Sequence, residues 1–129
     1  MTDSVAGIGI DIIEIDRIRQ SIERWGDRFT QRIFTATERD DCEQRANIYR
    51  SYAARFAAKE AVSKAFGTGI GEQLGWLDIE ICSHPESRAP SVQLSPRVQK
   101  WSRDSGVKGI LISLSHARDY AVAQAVLIA

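Results

Sequence analysis

The segment with the clearest pattern reads RFAAKEAVSKAFGTGI, from Arg55 to Ile70. Large apolar side chains recur at helical intervals, alanine fills most of the remaining positions, and Gly67 stands where helices commonly end. On a helical wheel the alanines lie opposite the large apolar residues, so almost the whole circumference is expected to be packed. We therefore predict that this segment belongs to a long central helix.

Four charged residues interrupt this packed pattern, namely Arg55, Lys59, Glu60 and Lys64. A buried charge is costly unless it meets an opposite charge, a metal or a charged ligand. The glycines of GTGI, Gly67 and Gly69, would let the backbone come close to such a ligand. The alternative is a surface helix in which Glu60 and Lys64 form an ordinary i,i+4 pair. This segment alone leaves both interpretations open.

Composition describes one folded domain without a marked affinity for nucleic acid. The 129 residues are 43% apolar and 26% charged, with 17 basic and 17 acidic side chains. Such a chain is long enough for one ordinary core, and its charge balance argues against a generally nucleic-acid-binding surface. Residues 17–59 are locally basic, with ten basic and six acidic side chains.

Cysteine usage and the first residues predict a cytoplasmic protein. Cys42 and Cys82 have neither metal-site spacing nor the density of a disulfide scaffold, so we expect free thiols in a reducing compartment. The first residues, MTDSVAGIGIDIIEIDR, lack a basic segment followed by an apolar run. We therefore predict no secretory signal and no membrane span.

The run VAGIGIDII, from Val5 to Ile13, predicts a buried strand in which Gly7 and Gly9 allow close backbone approach. It is not a dinucleotide-binding fingerprint, because the third glycine of GxGxxG is missing. Asp11 is a lone carboxylate within this apolar strand. It must be paired, cap the next helix or hold a cation, and capping and metal binding are equally compatible with the pattern.

The next segment, from about Glu14 to Gly26, has helical apolar spacing and carries a row of arginines. Arg17, Arg24 and Arg28 fall on one face at i, i+7 and i+11. Like charges one turn apart repel, so an uncompensated row suggests an acidic partner. A solvated face is the alternative for any such row.

The remaining segments predict short helices and antiparallel strands. TATE, from Thr35 to Glu38, has the form of a capping box that opens a helix, and Asn47 lies near the break before the central helix begins around Ile48. WLDIEIC and SVQL are predicted to form a hairpin of two strands, and a helix follows from Ser95 to before Gly106. Two further strands are predicted, one ending at His116 and an apolar central strand from Tyr120 to Ile128. Histidine at a strand end is as often structural as catalytic. Together these segments predict one α+β domain over residues 1–129, with the long helix packed on a small antiparallel sheet.

Four motifs, taken in order, resemble the holo-acyl-carrier-protein synthase family of bacterial phosphopantetheinyl transferases. They are GIGIDIIEIDRI at Gly7–Ile18, IFTATE at Ile33–Glu38, RFAAKEAVSKAFGTGI at Arg55–Ile70 and ISLSHARDYAVAQAV at Ile112–Val126. The third is highly specific, whereas the first or last alone would be weak. The resemblance implies transfer of the phosphopantetheine arm of coenzyme A to a serine of apo-acyl carrier protein in fatty-acid biosynthesis, with release of adenosine 3',5'-bisphosphate.

The same resemblance implies roles for individual residues. Asp11 and Glu60 would hold Mg²⁺, and Lys64 would meet the pyrophosphate or take part in deprotonating the serine. Contacts to coenzyme A are implied for Arg55, Lys59, Lys64, Gly67, Gly69 and His116. Arg17, Arg24 and Arg28 would dock an acidic helix of the carrier protein, and members typically form homotrimers with active sites between subunits.

Two positions depart from the family pattern. Ala117 follows the histidine where a polar residue is frequent, so any role of that side chain is absent. The turn before SVQL reads SRAP, residues 87–90, instead of Gly-basic-Pro, which leaves the shape of this turn unpredicted.

Two other functions are compatible with the charged residues. A metal-dependent hydrolase of nucleotide pyrophosphates would release phosphopantetheine to water and would need no carrier. A small adaptor would use the arginine row to bind an acidic protein and would need neither Mg²⁺ nor coenzyme A. The buried-looking charges of the central helix argue against the adaptor.

Overall fold

The computed structural model describes residues 3–129, so that Met1 and Thr2 of the predicted domain lie outside the described residues. The elements in chain order are β1 Val5–Glu14, α1 Ile15–Trp25, α2 Asp27–Ile33, α3 Ala36–Glu43, α4 Ile48–Ala65, β2 Ile79–Ser83, β3 Pro90–Leu94, α5 Pro96–Asp104, β4 Gly109–His116 and β5 Tyr120–Ile128. This mixture of helices and antiparallel strands confirms the predicted α+β class. No helix within the described range has the length and apolar character needed to cross a bilayer.

The strands form two antiparallel sheets. One has the order β1-β5-β4, which confirms the prediction that Tyr120–Ile128 is a central strand. In its register Asp11 lies opposite Ala123, and His116 lies opposite Ala121, so both candidate residues are near the same end of the sheet but on different edges. The other sheet is the β2–β3 hairpin that the sequence predicted.

Helix α4 packs across the larger sheet through small side chains. Ala57, Ala58 and Ala61 of the helix and Ala123 and Ala125 of β5 are buried in one apolar cluster. Because alanine projects so little from the backbone, helix and sheet can come close together. Lys64 is the only exposed residue of α4, which confirms that the helix is packed around its circumference.

Strand β1 approaches α4 most closely at two glycines. A methyl group added to Gly9 would lie 2.0 Å from the carbonyl oxygen of Ala61, and one added to Gly7 would lie 2.2 Å from that of Ala65. Any side chain would therefore collide with the helix backbone. Asp11 follows two residues after Gly9 on the same face of the strand, so this contact also brings its carboxylate to α4.

Gly9→Ala is expected to push β1 away from α4 and to destabilise the protein by about 1–3 kcal/mol. The measurement is the midpoint of thermal unfolding by circular dichroism. Gly71→Ala is the matched control, because an added methyl at Gly71 meets nothing within 4 Å. Equal midpoints for the two variants would show that the close approach at Gly9 has no energetic importance.

A buried ion pair joins α3, α4 and β2. The ammonium of Lys59 lies 2.6 Å from Oε1 of Glu38, and both side chains are completely buried. Lys59 also donates to the carbonyl oxygens of Ile33 (2.8 Å) and Trp76 (3.0 Å). Glu38 accepts from the backbone N–H of Thr35 in the predicted capping box and, at 2.8 Å, from that of Ile81 in β2. One buried pair thus fixes the position of α4 relative to its neighbours.

Three local predictions were wrong. Strand β1, which was predicted to be buried, lies at the edge of its sheet, and Ile8, Ile10 and Ile12 on one of its faces are 62–68% exposed. The first helix ends at Trp25, as predicted, but Arg28 does not continue its arginine face, because Gly26, with φ of 56°, separates α1 from the unpredicted helix α2. The strand predicted at WLDIEIC begins only at Ile79, since Trp76–Asp78 forms a 3₁₀ turn. In that turn the carboxylate of Asp78 accepts from the backbone N–H of Gly75 at 2.8 Å, and Leu77 points to solvent.

Candidate active site

A carboxylate and an ammonium group meet where β1 crosses α4, and the carboxylate of Glu60 lies within electrostatic reach of both. Lys64 Nζ donates to Asp11 Oδ1 at 3.0 Å and to the carbonyl oxygen of Ile10 at 3.1 Å. The Asp11 side chain is only 16% exposed, whereas Lys64 is 50% exposed. Burial, reinforced by the negative charge of Asp11, raises the pKa of Glu60, although Lys64 acts in the opposite direction. The cluster therefore has more negative charge than Lys64 alone offsets.

This cluster suits a hard divalent cation that takes only part of its ligands from protein. Mg²⁺ prefers oxygen ligands and usually keeps water and phosphate oxygens beside one or two carboxylates. Asp11 and Glu60 provide such a pair. Within residues 3–129 no group of three or more His, Cys, Asp or Glu side chains has the arrangement of a metal site, so a complete protein cage is not formed there.

A second cluster lies on the other flank of α4 and is strongly basic. It lines a pocket of about 230 Å³ between the first turns of α4, the end of β4 and the β2–β3 turn. Its polar lining includes Arg45, Arg50, Arg55, Arg88, Ser115 and His116. Guanidinium groups in this number favour an anionic ligand, phosphate in particular.

Arg55 is the most deeply buried of these arginines. It forms an ion pair with Asp41, and its Nε has no hydrogen-bond partner among the described residues although it is buried. Burial would raise the pKa of Asp41, but hydrogen bonding to Arg45 and the charges of Arg55, Arg45 and Arg88 outweigh that effect and lower the pKa. Asp41 therefore stays ionised and compensates only part of the positive charge.

An aromatic and basic surface lies at the junction of α1 and α2. The guanidinium carbons of Arg24 and Arg28 lie 4.9 and 5.7 Å from the ring centre of Trp25, so both arginines stack on this ring. Beside them is a cleft of about 370 Å³ that is lined by Trp25, Arg28, Phe29, Arg32, Ile33 and Trp76. Arg17 is exposed on α1. The break at Gly26 thus keeps Arg24 and Arg28 together although they belong to different helices.

The face of the larger sheet that points away from α4 is apolar and exposed. Ile8 is 68% exposed, and Ile10, Ile12 and Leu111 are each 62% exposed. Ile8, Ile10 and Ile12 alternate along β1 with the residues that face the helix. Contiguous exposed apolar surface of this kind is typical of sites that bind another protein, a membrane or an apolar ligand.

Comparison with known proteins identifies the family. Residues 7–125 match the model of the 4'-phosphopantetheinyl transferase superfamily. The chain belongs to this superfamily. The holo-[acyl-carrier-protein] synthase of Chlamydia trachomatis serovar D is 55% identical over 120 residues, which cover 93% of this chain and 97% of the relative. The family and the enzyme class expected from the four motifs are confirmed.

Solved structures of the superfamily have the same fold. The crystal structure of holo-[acyl-carrier-protein] synthase from Neisseria meningitidis matches with a TM-score of 0.90 at 32% identity, covering 96% of this chain and 98% of that one. The Helicobacter pylori holo-[acyl-carrier-protein] synthase in complex with coenzyme A matches with a TM-score of 0.83 at 35% identity, with coverages of 93% and 98%.

Lys59 was expected to bind the cofactor, but the structure buries it inside the fold. The ammonium group of Lys59 contacts the carboxylate of Glu38 and the carbonyl oxygens of Ile33 and Trp76, and its side chain is 0% exposed. Burial lowers the pKa of Lys59, whereas the charge and hydrogen bond of Glu38 act to raise it. A ligand cannot reach this ammonium group, so the expected contact with coenzyme A does not agree with the structure.

The GTGI turn ends α4 as predicted. Gly67 and Gly69 have φ of 81° and 65°, and their N–H groups donate to the carbonyl oxygens of Lys64 and Ser63. These two amides are therefore engaged by the helix end. The space beside both glycines is open, so approach of the cofactor to them stays a prediction.

Sequence reasoning missed three arginines of the basic pocket, Arg45, Arg50 and Arg88. The excess of positive charge over residues 17–59 was the available signal for the first two. Nothing in the sequence pointed to Arg88, because the shape of the β2–β3 turn could not be predicted.

Proposed function

We propose that this chain transfers the 4'-phosphopantetheine arm of coenzyme A to a serine of apo-acyl carrier protein. The observation that carries the proposal is the ion pair of Asp11 and Lys64 at the crossing of β1 and α4, with Glu60 within electrostatic reach of both, in a chain of the 4'-phosphopantetheinyl transferase superfamily. The related Helicobacter pylori enzyme was solved in complex with coenzyme A.

The reaction is a phosphoryl transfer. The serine oxygen forms a bond to the phosphorus that carries pantetheine, while the bond from that phosphorus to the bridging diphosphate oxygen breaks. The leaving group, adenosine 3',5'-bisphosphate, departs with the electron pair, and the serine proton passes to a general base. Such chemistry needs mainly positioning and neutralisation of charge.

Asp11 and Glu60 fit the role of ligands for Mg²⁺, and Lys64 that of a cation facing the diphosphate. When bound, the ion would neutralise charge on the diphosphate and its leaving group. The side chain of Lys64 is half exposed, and its ammonium group donates a hydrogen bond to Asp11. A small rotation of this side chain would therefore direct the ammonium group to a phosphate oxygen next to Asp11 and Glu60. Asp11 and Glu60 would hold Mg²⁺ and the ammonium group of Lys64 next to the phosphorus–oxygen bond that breaks.

The basic pocket fits the adenosine bisphosphate end of coenzyme A. Its 3'-phosphate is a phosphomonoester, which carries nearly two negative charges at neutral pH. Arg45, Arg50 and Arg55 with His116 offer several charge-assisted donors, and the Nε of Arg55 is a buried donor without a partner among the described residues.

The two clusters lie on opposite flanks of α4, which supports active sites shared between subunits. One coenzyme A molecule would have to pass the packed helix to reach both clusters of a single chain. In a closed ring of three chains, the carboxylate pair of one subunit could face the basic pocket of the next. The exposed isoleucines of β1 offer the apolar surface for such a homotrimer.

Shared sites predict complementation between two inactive chains. Glu60→Gln and His116→Ala variants, refolded together in equal amounts, should regain activity, because some interfaces combine an intact Glu60 with an intact His116. For random assembly about a quarter of the sites would be intact. Each variant refolded alone is the control, and a mixture no more active than the variants alone would contradict a shared site.

The carrier protein would dock on Arg17, Arg24 and Arg28. Acyl carrier protein is acidic, so charge complementarity favours this surface, and the cleft beside Trp25 can receive an apolar side chain of the docked helix. In this arrangement the arginines set affinity for the carrier and leave the contacts to coenzyme A unchanged.

Arg24→Glu is expected to raise KM for the carrier about tenfold or more with little change of KM for coenzyme A. Arg19→Glu is the control on the same helix, since Arg19 is already paired with Asp16 and Glu23. Steady-state kinetics with each substrate varied in turn provides the measurement. Equal effects of both variants would indicate general charge repulsion instead of a docking site.

The transfer itself is tested by mass spectrometry. The protein is mixed with coenzyme A, Mg²⁺ and an apo-acyl carrier protein, and the carrier should gain the mass of phosphopantetheine. Release of free phosphopantetheine without a carrier would favour a hydrolase. Binding of the carrier without coenzyme A turnover would favour an adaptor.

As the setting of this reaction we propose fatty-acid biosynthesis in the cytoplasm. The free thiols of Cys42 and Cys82 agree with a reducing compartment.

A further inference from the structure

The turn between β2 and β3 holds an arginine in an unusual backbone conformation. Arg88 has φ of 66°, and within residues 3–129 it is the only residue other than glycine with a positive φ. Its N–H donates to the carbonyl oxygen of His84 at 3.0 Å, and the N–H of His84 donates to that of Ala89 at 2.9 Å. These bonds close the turn and hold Arg88 in the left-handed region, which side chains with a Cβ adopt only at a cost.

The side chain of this arginine belongs to the basic pocket. Arg88 lines the pocket from the β2–β3 turn, whereas Arg50 and Arg55 line it from α4 and His116 from the end of β4. Its positive charge also contributes to the lowered pKa of Asp41, which places it within electrostatic reach of the other arginines. Glycine would relieve the backbone but would remove this guanidinium. Strained residues of this kind cluster at ligand-binding sites.

The identity of the anion follows from the two phosphate-bearing parts of coenzyme A. If the proposed function holds, on which this inference rests, the diphosphate lies at Asp11 and Glu60, where the bond to phosphorus breaks. The 3'-phosphate then remains for the basic pocket. Asp41 offsets only one of the four guanidinium groups from Arg45, Arg50, Arg55 and Arg88, so three positive charges remain and a dianion would offset most of them.

We infer that Arg88 is a specificity-determining residue that binds the 3'-phosphate and so distinguishes coenzyme A from dephospho-coenzyme A. Its guanidinium can offer two parallel N–H donors to phosphate oxygens. Because Arg88 is exposed and lines the same pocket as Arg50 and His116, its side chain has room to turn onto a phosphate bound between them. Its backbone conformation aims the side chain at the pocket at the expense of stability.

Two substitutions separate the side chain from the backbone. Arg88→Ala and Arg88→Gly both remove the guanidinium, but only glycine relieves the left-handed conformation. Both variants should raise KM for coenzyme A about tenfold, the loss typical of a charge-assisted hydrogen bond, while KM for dephospho-coenzyme A changes less than about twofold. Only Arg88→Gly should raise the thermal unfolding midpoint above that of the unaltered protein.

Arg103→Ala, at an exposed site near the end of α5, is the control for net charge and should leave both KM values unchanged. The inference is overturned if Arg88→Ala leaves KM for coenzyme A unchanged, or raises both KM values equally. It is also overturned if Arg88→Gly has a lower unfolding midpoint than Arg88→Ala. Failure of the unaltered protein to modify a carrier from either substrate would instead overturn the proposed function, and this inference with it.

Discussion

Replacing Glu60 with glutamine is expected to reduce phosphopantetheine transfer by on the order of 10³-fold or more. Glutamine keeps the shape of the side chain but removes the charge that the proposed metal site and its diphosphate require. The measurement is the initial rate of carrier modification at saturating coenzyme A and Mg²⁺. Glu72→Gln, in the exposed loop after α4, removes the same charge elsewhere and should retain full activity.

Glu60→Gln is expected to lose activity without losing thermal stability. The pKa of Glu60 is raised in the folded protein, so the folded state binds its proton more tightly than the unfolded chain, and ionisation above the unfolded pKa opposes folding. Glu60→Gln removes that cost and should unfold at the same or a higher temperature near pH 7. An inactive variant that is also less stable would indicate a structural role, and a fully active variant would remove Glu60 from the metal site.

Replacing Lys59 with methionine is expected to destabilise the protein by about 3–5 kcal/mol. The substitution leaves the buried carboxylate of Glu38 without its ammonium partner, although the N–H groups of Thr35 and Ile81 still donate to it. Because small domains have only about 5–15 kcal/mol of stability, the loss should be plain in a urea titration. Since Lys59 is enclosed, KM for coenzyme A of the folded fraction should not change.

Two further variants separate burial from charge. Lys100→Met disrupts the exposed pair of Lys100 with Asp104 and should leave the midpoint unchanged. The double variant Glu38→Gln with Lys59→Met should recover part of the stability, because no uncompensated carboxylate remains buried. Full stability of Lys59→Met alone would mean that the pair contributes nothing, and a raised KM for coenzyme A would restore Lys59 as a cofactor residue.

Local patterns were sufficient for most of the elements. The spacing of apolar residues placed α4 and β5, and the capping box at Thr35 marked the start of α3. These patterns failed where one residue overrides them. Gly26 ends α1 before Arg28, so the arginine row spans two helices. The alternation of apolar and polar residues predicted a strand at Trp76–Asp78, but Asp78 holds this segment in a turn.

The sequence by itself determined that this chain forms a long packed helix, a glycine-bearing strand with one carboxylate, and a set of charges too costly to bury alone. Only the tertiary structure decided which charges meet. Lys64 pairs with Asp11 across 53 positions, and Lys59 lies against a carbonyl 26 positions away. Periodicity reports which side of an element faces the core, but a pair of charges is defined by two elements at once. For this reason two lysines in one helix, both equally conspicuous in the sequence, have different roles: Lys59 holds the fold together and Lys64 faces the proposed site.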